Sequence, residues 1–353
     1  MRKEAKTILI TIIIIILISR TTYLLYHEIK MEQQNTKNIK IENKTIYLNT
    51  LTIKQKLAQM IMVRGDSNNT DLLDLNIGGV FLDKQKTKQE YQQKTTFYQT
   101  NSKINLLIAT DLEGTWNPFS NFQEFPKNKN IQTKEEAYQL GIQQGKILKE
   151  TGFNMNFAPI AEYKDETYRG RAFTGNKEEI KQKIKSYIKG LQTQVLGVCK
   201  HYPGKGMIKN LHFRRDKQTI TQEDLDLFQT CFRNNITGVM IGHQIVQGKL
   251  NSQEKPSSIS EEIISTIPKE KLIISDEINM LGLRSFYWFN KRKIYAELIN
   301  SGNNIILDFN LNKRKTYKLL NQLEKDVKTG KISEEKINES VKKILTLKGY
   351  KIK

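Results

Sequence analysis

The chain is poor in the residues that build metal centres: two cysteines and four histidines occur in 353 residues. Cys199 and Cys231 have no ligand spacing and no histidine cluster beside them, so no zinc or other metal site is expected. Cys199 falls in an apolar strand pattern and Cys231 in a helical one, and both are read as buried thiols. Acidic residues are also scarce, 37 against 57 Lys and Arg, a net charge of +20. The excess is mostly lysine spread along the whole chain among Asn, Ile and Gln, not a patch on one face, so nucleic acid is not expected as a partner. With 38% hydrophobic residues the chain buries a sizeable core in one large α/β domain or two smaller ones.

The N-terminus differs in kind. Lys3 and Lys6 precede an almost purely apolar run over 8–18, interrupted by Ser19-Arg20 and resumed at 23–26. Eleven residues fall short of the about 20 that span a bilayer and lie in the range of a signal-peptide core. No small-residue cleavage site and no cysteine for a lipid follow. Residues 1–26 therefore read as an uncleaved signal anchor with Arg20 snorkelling at its outer end, the alternative being a cleaved signal peptide. Residues 27–50 are polar, without apolar periodicity, and read as a tether. This places an inner-membrane-anchored domain, residues 51–353, on the periplasmic or outer side.

Within that domain, residues 51–63 carry apolar side chains at helical spacing and predict an amphipathic helix. Short β-rich runs then recur at 78–82, 105–109, 154–158, 195–199, 238–241, 272–274 and 304–307, separated by helical patterns. Strands alternating with helices imply parallel pairing, and seven runs plus one unseen strand predict an α/β fold of the (β/α)8 TIM-barrel type, with a doubly wound sheet as the alternative. Polar residues stand just after the runs: Asp111, Lys200 with His201, His243, and Asp276. That placement favours the barrel, whose sites lie at C-terminal strand ends. The chain closes on a helical pattern capped by Ser333.

The segment Cys199-Lys200-His201-Tyr202-Pro203-Gly204-Lys205-Gly206 concentrates polar side chains at a strand end before a loop built to bend. It resembles the Lys-His-Phe-Pro-Gly-x-Gly signature of family 3 glycoside hydrolases, in particular their bacterial β-N-acetylglucosaminidase branch. Three further segments carry the resemblance. Ser275-Asp276-Glu277-Ile278-Asn279-Met280 is similar to the family's Ser-Asp-x-x-x-Met, which implies Asp276 as the nucleophile of a retaining mechanism. Thr110-Asp111-Leu112-Glu113-Gly114 is similar to Asp-x-Glu-Gly and implies Asp111 as a sugar-hydroxyl acceptor, while Gly170-Arg171-Ala172-Phe173 is similar to Arg-Ser-Phe and implies Arg171 at the substrate. Lys200 and His201 complete the implied binding set. The resemblance covers residues 51–349 as a single domain, and implies no cofactor, a monomer, and an N-acetylglucosamine-containing glycan or muropeptide as substrate.

Two loops depart from the family. After Asp-x-Glu-Gly the family has another Gly and two arginines, where this chain reads Thr115-Trp116-Asn117-Pro118-Phe119; Trp116 either stacks on a sugar or anchors a rebuilt loop. After Gly206 the branch carries Asp-Ser-His, its His the acid/base group. Here the aligned positions are Leu211 and Phe213, or, with a one-residue deletion, Asn210 and His212. The second alignment retains an imidazole suited to proton transfer and replaces its orienting carboxylate by an amide. The expected function is an exo-acting hydrolase with Asp276 attacking and His212 donating the proton; a catalytically impaired barrel serving as a glycan-binding envelope scaffold is the alternative.

Overall fold

In the computed structural model the described residues are 11–23, 39–65, 70–163, 170–204 and 216–353. Eight parallel strands follow one another around a barrel: β1 Ile61–Arg64, β2 Gly79–Phe81, β3 Leu107–Thr110, β4 Met155–Asn156, β5 Leu196–Tyr202, β6 Gly238–Ile241, β7 Leu272–Ser275 and β8 Ile306–Leu307. β8 pairs with β1, and a bridge between Ile274 and Ile305 brings the last two strands together. The strands are short and buried throughout their apolar runs, as expected where helices cover one face and the barrel interior the other.

The outer layer is built from α1 Ile53–Gln59, α2 Lys88–Thr100, α3 Lys134–Glu150, α4 Lys177–Leu191, α5 Gln222–Arg233, α6 Lys291–Ser301, α7 Lys313–Lys328 and α8 Glu334–Leu347. Local sequence starts most of them. Thr52, Thr133, Asn176 and Thr221 form capping boxes with Gln55, Glu136, Glu179 and Asp224, and Ser333 accepts from the Lys336 N–H as the N-cap of α8.

The unseen strand is β1, and the single helix expected over 51–63 is corrected accordingly. α1 ends at Gln59 because residues 60–63 are apolar on every side, and a continuous buried run of this length forms an interior parallel strand. The reading of both cysteines as thiols is also corrected. α5 packs on the outside of β5, facing Cys231 toward Cys199 at a Cα separation of 6.6 Å, and the two are joined as a disulfide. A further parallel pair, Lys217–Ile220 with Ile245–Gly248, stands on the loops that follow β5 and β6.

The tether expected over 27–50 contains folded chain. Ile41–Glu42 and Thr45–Ile46 form a hairpin turned by Asn43 and Lys44, both at positive φ, and Lys351–Ile352 adds in parallel to its second strand. Ile46 and Leu48 are buried against the domain. Their burial is worth about 1.5–3 kcal/mol each. A chain lacking residues 1–50 will therefore be about 3–6 kcal/mol less stable than one lacking 1–38, read from urea midpoints. Equal midpoints would show that the hairpin is dispensable. Residues 11–23 are helical with Ile12, Ile14 and Ile16 about half exposed, and among the described residues no helix is long and apolar enough to cross a membrane.

Candidate active site

A cavity of about 430 Å³ opens at the C-terminal end of the barrel. Each of the eight strands, or the residues just after it, lends a side chain to its wall, from Arg64 on β1 to Leu307 on β8. Asp111, Arg171, Lys200, His201 and Asp276 all line it. The sequence-predicted binding set and nucleophile are thus brought together from three separate loops and one strand end. His212, the expected proton donor, and Asn210 lie outside the described residues.

The cation at the centre is Lys200, on β5 and nearly buried. Its Nζ donates to Asp111 Oδ1 at 2.5 Å and stands 3.4 Å from Glu113 Oε1. Glu113 Oε2 in turn meets Arg171 Nη1 at 3.3 Å. The side chains of Lys200 and Glu113 are 4% and 6% exposed, and Asp111 is 26% exposed; both acids line the cavity, Asp111 the more open to it and Glu113 held between the two cations. Backbone contacts hold this arrangement. The Asn156 carboxamide accepts from the Leu112 N–H and donates to the Leu112 carbonyl, clamping the loop after β3, and Asn128 Nδ2 donates to the Arg171 carbonyl. Gly114 is at φ +88°, and a Cβ there would lie 2.9 Å from Asn128, so this turn needs glycine.

Burial pushes the Glu113 carboxyl up to about 7; Asp111 adds to the rise, and Lys200 and Arg171 oppose it. Burial pulls the Lys200 ammonium down, but Asp111 and Glu113 outweigh it and hold its pKa above the ordinary value. His201 goes the other way: burial, with Lys200, Arg171 and His243 adding, drives it well below 6.5, so it faces the cavity as neutral imidazole.

Because Glu113 has its pKa raised from 4.5 to about 7 on folding, the native state is favoured below 4.5 and loses that advantage as pH rises through 7. Glutamine has no such dependence. The melting temperature of Glu113→Gln will accordingly rise relative to the parent chain as pH climbs from 4.5 past 7. A constant offset would contradict the assignment.

Asp276 follows β7 directly. Its Oδ1 accepts from the Glu277 N–H at 2.7 Å, and Oδ2 faces His201 Nε2 at 4.0 Å. Among the described residues Oδ2 accepts no hydrogen bond. Glu277 also reaches the wall, accepting from the Asn279 and Phe309 backbone N–H groups, and burial raises its carboxyl pKa. His243 does not line the cavity. It is buried, bonded through Nδ1 to Ser258 Oγ at 2.8 Å and through Nε2 to the Glu277 carbonyl at 3.1 Å, and so braces the loop that carries Asp276. Trp116 is 56% exposed at the rim, not a buried anchor; Phe119 fills that role against Tyr91 and Phe153.

One residue behind the cavity wall escaped the sequence reading. Glu162, nearly buried, approaches His201 Nδ1 at 3.7 Å from the loop after β4. An acid four residues beyond the run 154–158 satisfies the same strand-end criterion that singled out Asp111 and Asp276.

An eight-stranded parallel barrel with charged side chains converging at its C-terminal mouth is the architecture of a barrel enzyme. The model of the glycosyl hydrolase family 3 N-terminal domain matches residues 52–347, and the chain belongs to that family of glycoside hydrolases. Among curated proteins it is similar to the beta-hexosaminidase LpqI of Mycobacterium bovis and of Mycobacterium tuberculosis, 23% identical over 236 residues, which is 62% of this chain and 60% of the relative. The chain thus spans about 60% of the length of the curated relatives it matches.

Solved structures share the fold. A family 3 beta-N-acetylglucosaminidase from a Paenibacillus species superposes with a TM-score of 0.76 at 23% identity, covering 85% of this chain and 62% of that one. The beta-N-acetylhexosaminidase of Beutenbergia cavernae gives 0.73 at 17% identity, covering 85% and 99%. M. tuberculosis LpqI gives 0.71 at 19% identity, covering 86% and 95%.

Proposed function

We propose that this protein is a retaining exo-β-N-acetylglucosaminidase acting on peptidoglycan-derived or related N-acetylglucosamine-containing glycans. Asp276 supports the reading most directly: a carboxylate lining the open cavity at the barrel mouth, one oxygen fixed by a backbone N–H and the other left without a hydrogen bond among the described residues. In the proposed reaction Asp276 Oδ2 attacks the anomeric carbon as the bond to the leaving oxygen breaks, giving a glycosyl ester. The leaving oxygen takes a proton from the acid group, for which His212 is proposed, and water then cleaves the ester with retention. Asp111, Arg171, Lys200 and His201 hold the ring hydroxyls, the charged groups through charge-assisted hydrogen bonds. The relatives named as hexosaminidases favour an N-acetylhexosaminide. A cavity of about 430 Å³ bounded by loops favours release of one terminal sugar at a time.

The full-length chain is expected to release the chromophore from an aryl N-acetyl-β-glucosaminide and to leave the corresponding glucoside largely intact. Binding of N-acetylglucosaminides without turnover would favour the scaffold reading. We further propose attachment to the inner membrane through residues 1–26, with the barrel on the periplasmic or outer side and acting as a monomer; the half-exposed isoleucines of 11–23 support the attachment. The intact protein is expected to sediment with membranes, and recovery in the cytosolic fraction would contradict this.

A further inference from the structure

Beside the catalytic cavity lies a second cleft of about 620 Å³, between the loops after β7 and β8. The two adjoin: Asn310 lines both, and Asn279, in the wall of the second, donates from its side chain both to Glu277 in the wall of the first and to the buried Asp308. Five cations line the second cleft, Arg284, Lys291, Arg292, Lys315 and Lys318, and no acid does. Two of them are neutralised from behind. Lys291 donates to both oxygens of Asp308 at 2.7 and 2.8 Å, and Arg292 makes a bidentate pair with Asp326.

The other three have no carboxylate partner among the described residues. Arg284 reaches the Asn279 carbonyl at 3.4 Å and lies over the Phe289 ring at 4.7 Å, and Lys315 reaches only the Asn310 carbonyl, at 3.4 Å. Helix stability does not explain this concentration. α6 and α7 open with Lys291-Arg292-Lys293 and Lys313-Arg314-Lys315 and have no acid in their first turns, whereas α3, α4, α5 and α8 have two each. Cations in a first turn oppose the helix dipole, so the runs work against local stability. Their combined effect is a positive field in a shallow cleft that adjoins the catalytic cavity.

We propose that this cleft is a leaving-group subsite that recognises an anion, a carboxylate or a phosphate, on the sugar beyond the scissile bond. The proposal rests on the reading of the neighbouring cavity as an N-acetylglucosaminidase site. Lys315, Lys318 and Arg284 supply the charge, the half-exposed Phe289 gives a sugar face something to pack against, and Asn310 stands where the two sugars would join.

The test is calorimetric binding to the full-length chain carrying Asp276→Asn, which keeps disaccharides uncleaved. Three probes are compared: neutral N,N′-diacetylchitobiose, N-acetylglucosaminyl-N-acetylmuramic acid, and diacetylchitobiose phosphorylated on its reducing sugar. At low salt at least one anionic probe will bind about tenfold more tightly than the neutral one, two screened ion pairs being worth about that. The preference will shrink at about 0.5 M salt, where charges are screened over a few ångströms. In Lys315→Ala/Lys318→Ala, at two exposed positions, it will vanish while chitobiose affinity stays the same. Preference for one anion identifies it as carboxylate or phosphate. Equal affinity for all three probes, or a preference that survives the double substitution, would overturn the subsite and leave the catalytic reading standing. Failure to bind any of the three would overturn both.

Discussion

Asp276→Asn will lower kcat on an aryl N-acetylglucosaminide by on the order of 10⁵-fold, the scale seen when other enzymes lose a catalytic nucleophile. That is roughly 7 kcal/mol of barrel chemistry carried by one carboxylate. The amide fills nearly the same volume and still offers an oxygen to the Glu277 N–H, so the fold and the melting temperature will change little. The amide cannot form the glycosyl ester, so no intermediate accumulates. A modest loss, within about tenfold, would show that attack comes from another group. Glu277 is the acid nearest in sequence, and its raised pKa and its hydrogen bonds from Asn279 and Phe309 make it the poorer nucleophile.

Lys200→Met has the second largest expected effect, and it differs in kind because it strikes stability as well as activity. Lys200 lies between two carboxylates, Asp111 and Glu113, in a region where its own side chain is 4% exposed. Removing one partner of a buried ion pair costs about 3–5 kcal/mol, because the charge left behind has neither partner nor water. A lower urea midpoint by that amount is expected, with kcat/KM falling about 100-fold as a charge-assisted contact to substrate is lost. Lys200→Arg, which retains the charge, will recover much of the stability and less of the activity, since the guanidinium is wider and its donors point elsewhere. An unchanged midpoint in Lys200→Met would mean that the cluster is not coupled as its distances indicate.

The barrel itself was legible because a parallel strand covered on both faces must be an unbroken apolar run, and seven of eight runs stood clear of their helices. β1 was hidden since α1 reaches it with almost no connecting loop, so helical spacing over 53–59 merged with the run over 60–63. The hairpin before residue 51 was illegible for another reason. Its strands are two residues long, too short for alternation to register, and their partner is the far end of the chain, Lys351–Ile352. The disulfide depends likewise on a helix and a strand packing together, which 32 residues of separation do not reveal.

At the site, Asp111, Lys200, His201 and Asp276 could be placed from sequence because strand ends deliver them to one mouth. What sequence could not supply was the hierarchy among neighbouring acids. Asp111 and Glu113 are two residues apart on one loop and both line the cavity, yet the first is partly exposed and the second is buried between Lys200 and Arg171. Only the turn at Gly114 and the Asn156 clamp determine which is which. Glu162 carries a strand-end signal, but its contact with His201, on another strand, is what ties it to the site; the cationic cleft was missed because its residues come from separate loops, so no single stretch of chain carries that signal.

The most direct measurement is covalent trapping of the intermediate. The full-length chain is incubated with a mechanism-based fluorinated N-acetylglucosaminyl fluoride, and the peptide that gains the sugar mass is sequenced. Label on Asp276, absent from Asp276→Asn, is the result predicted here; stoichiometric label on Glu277, Asp111 or any other carboxylate would contradict it.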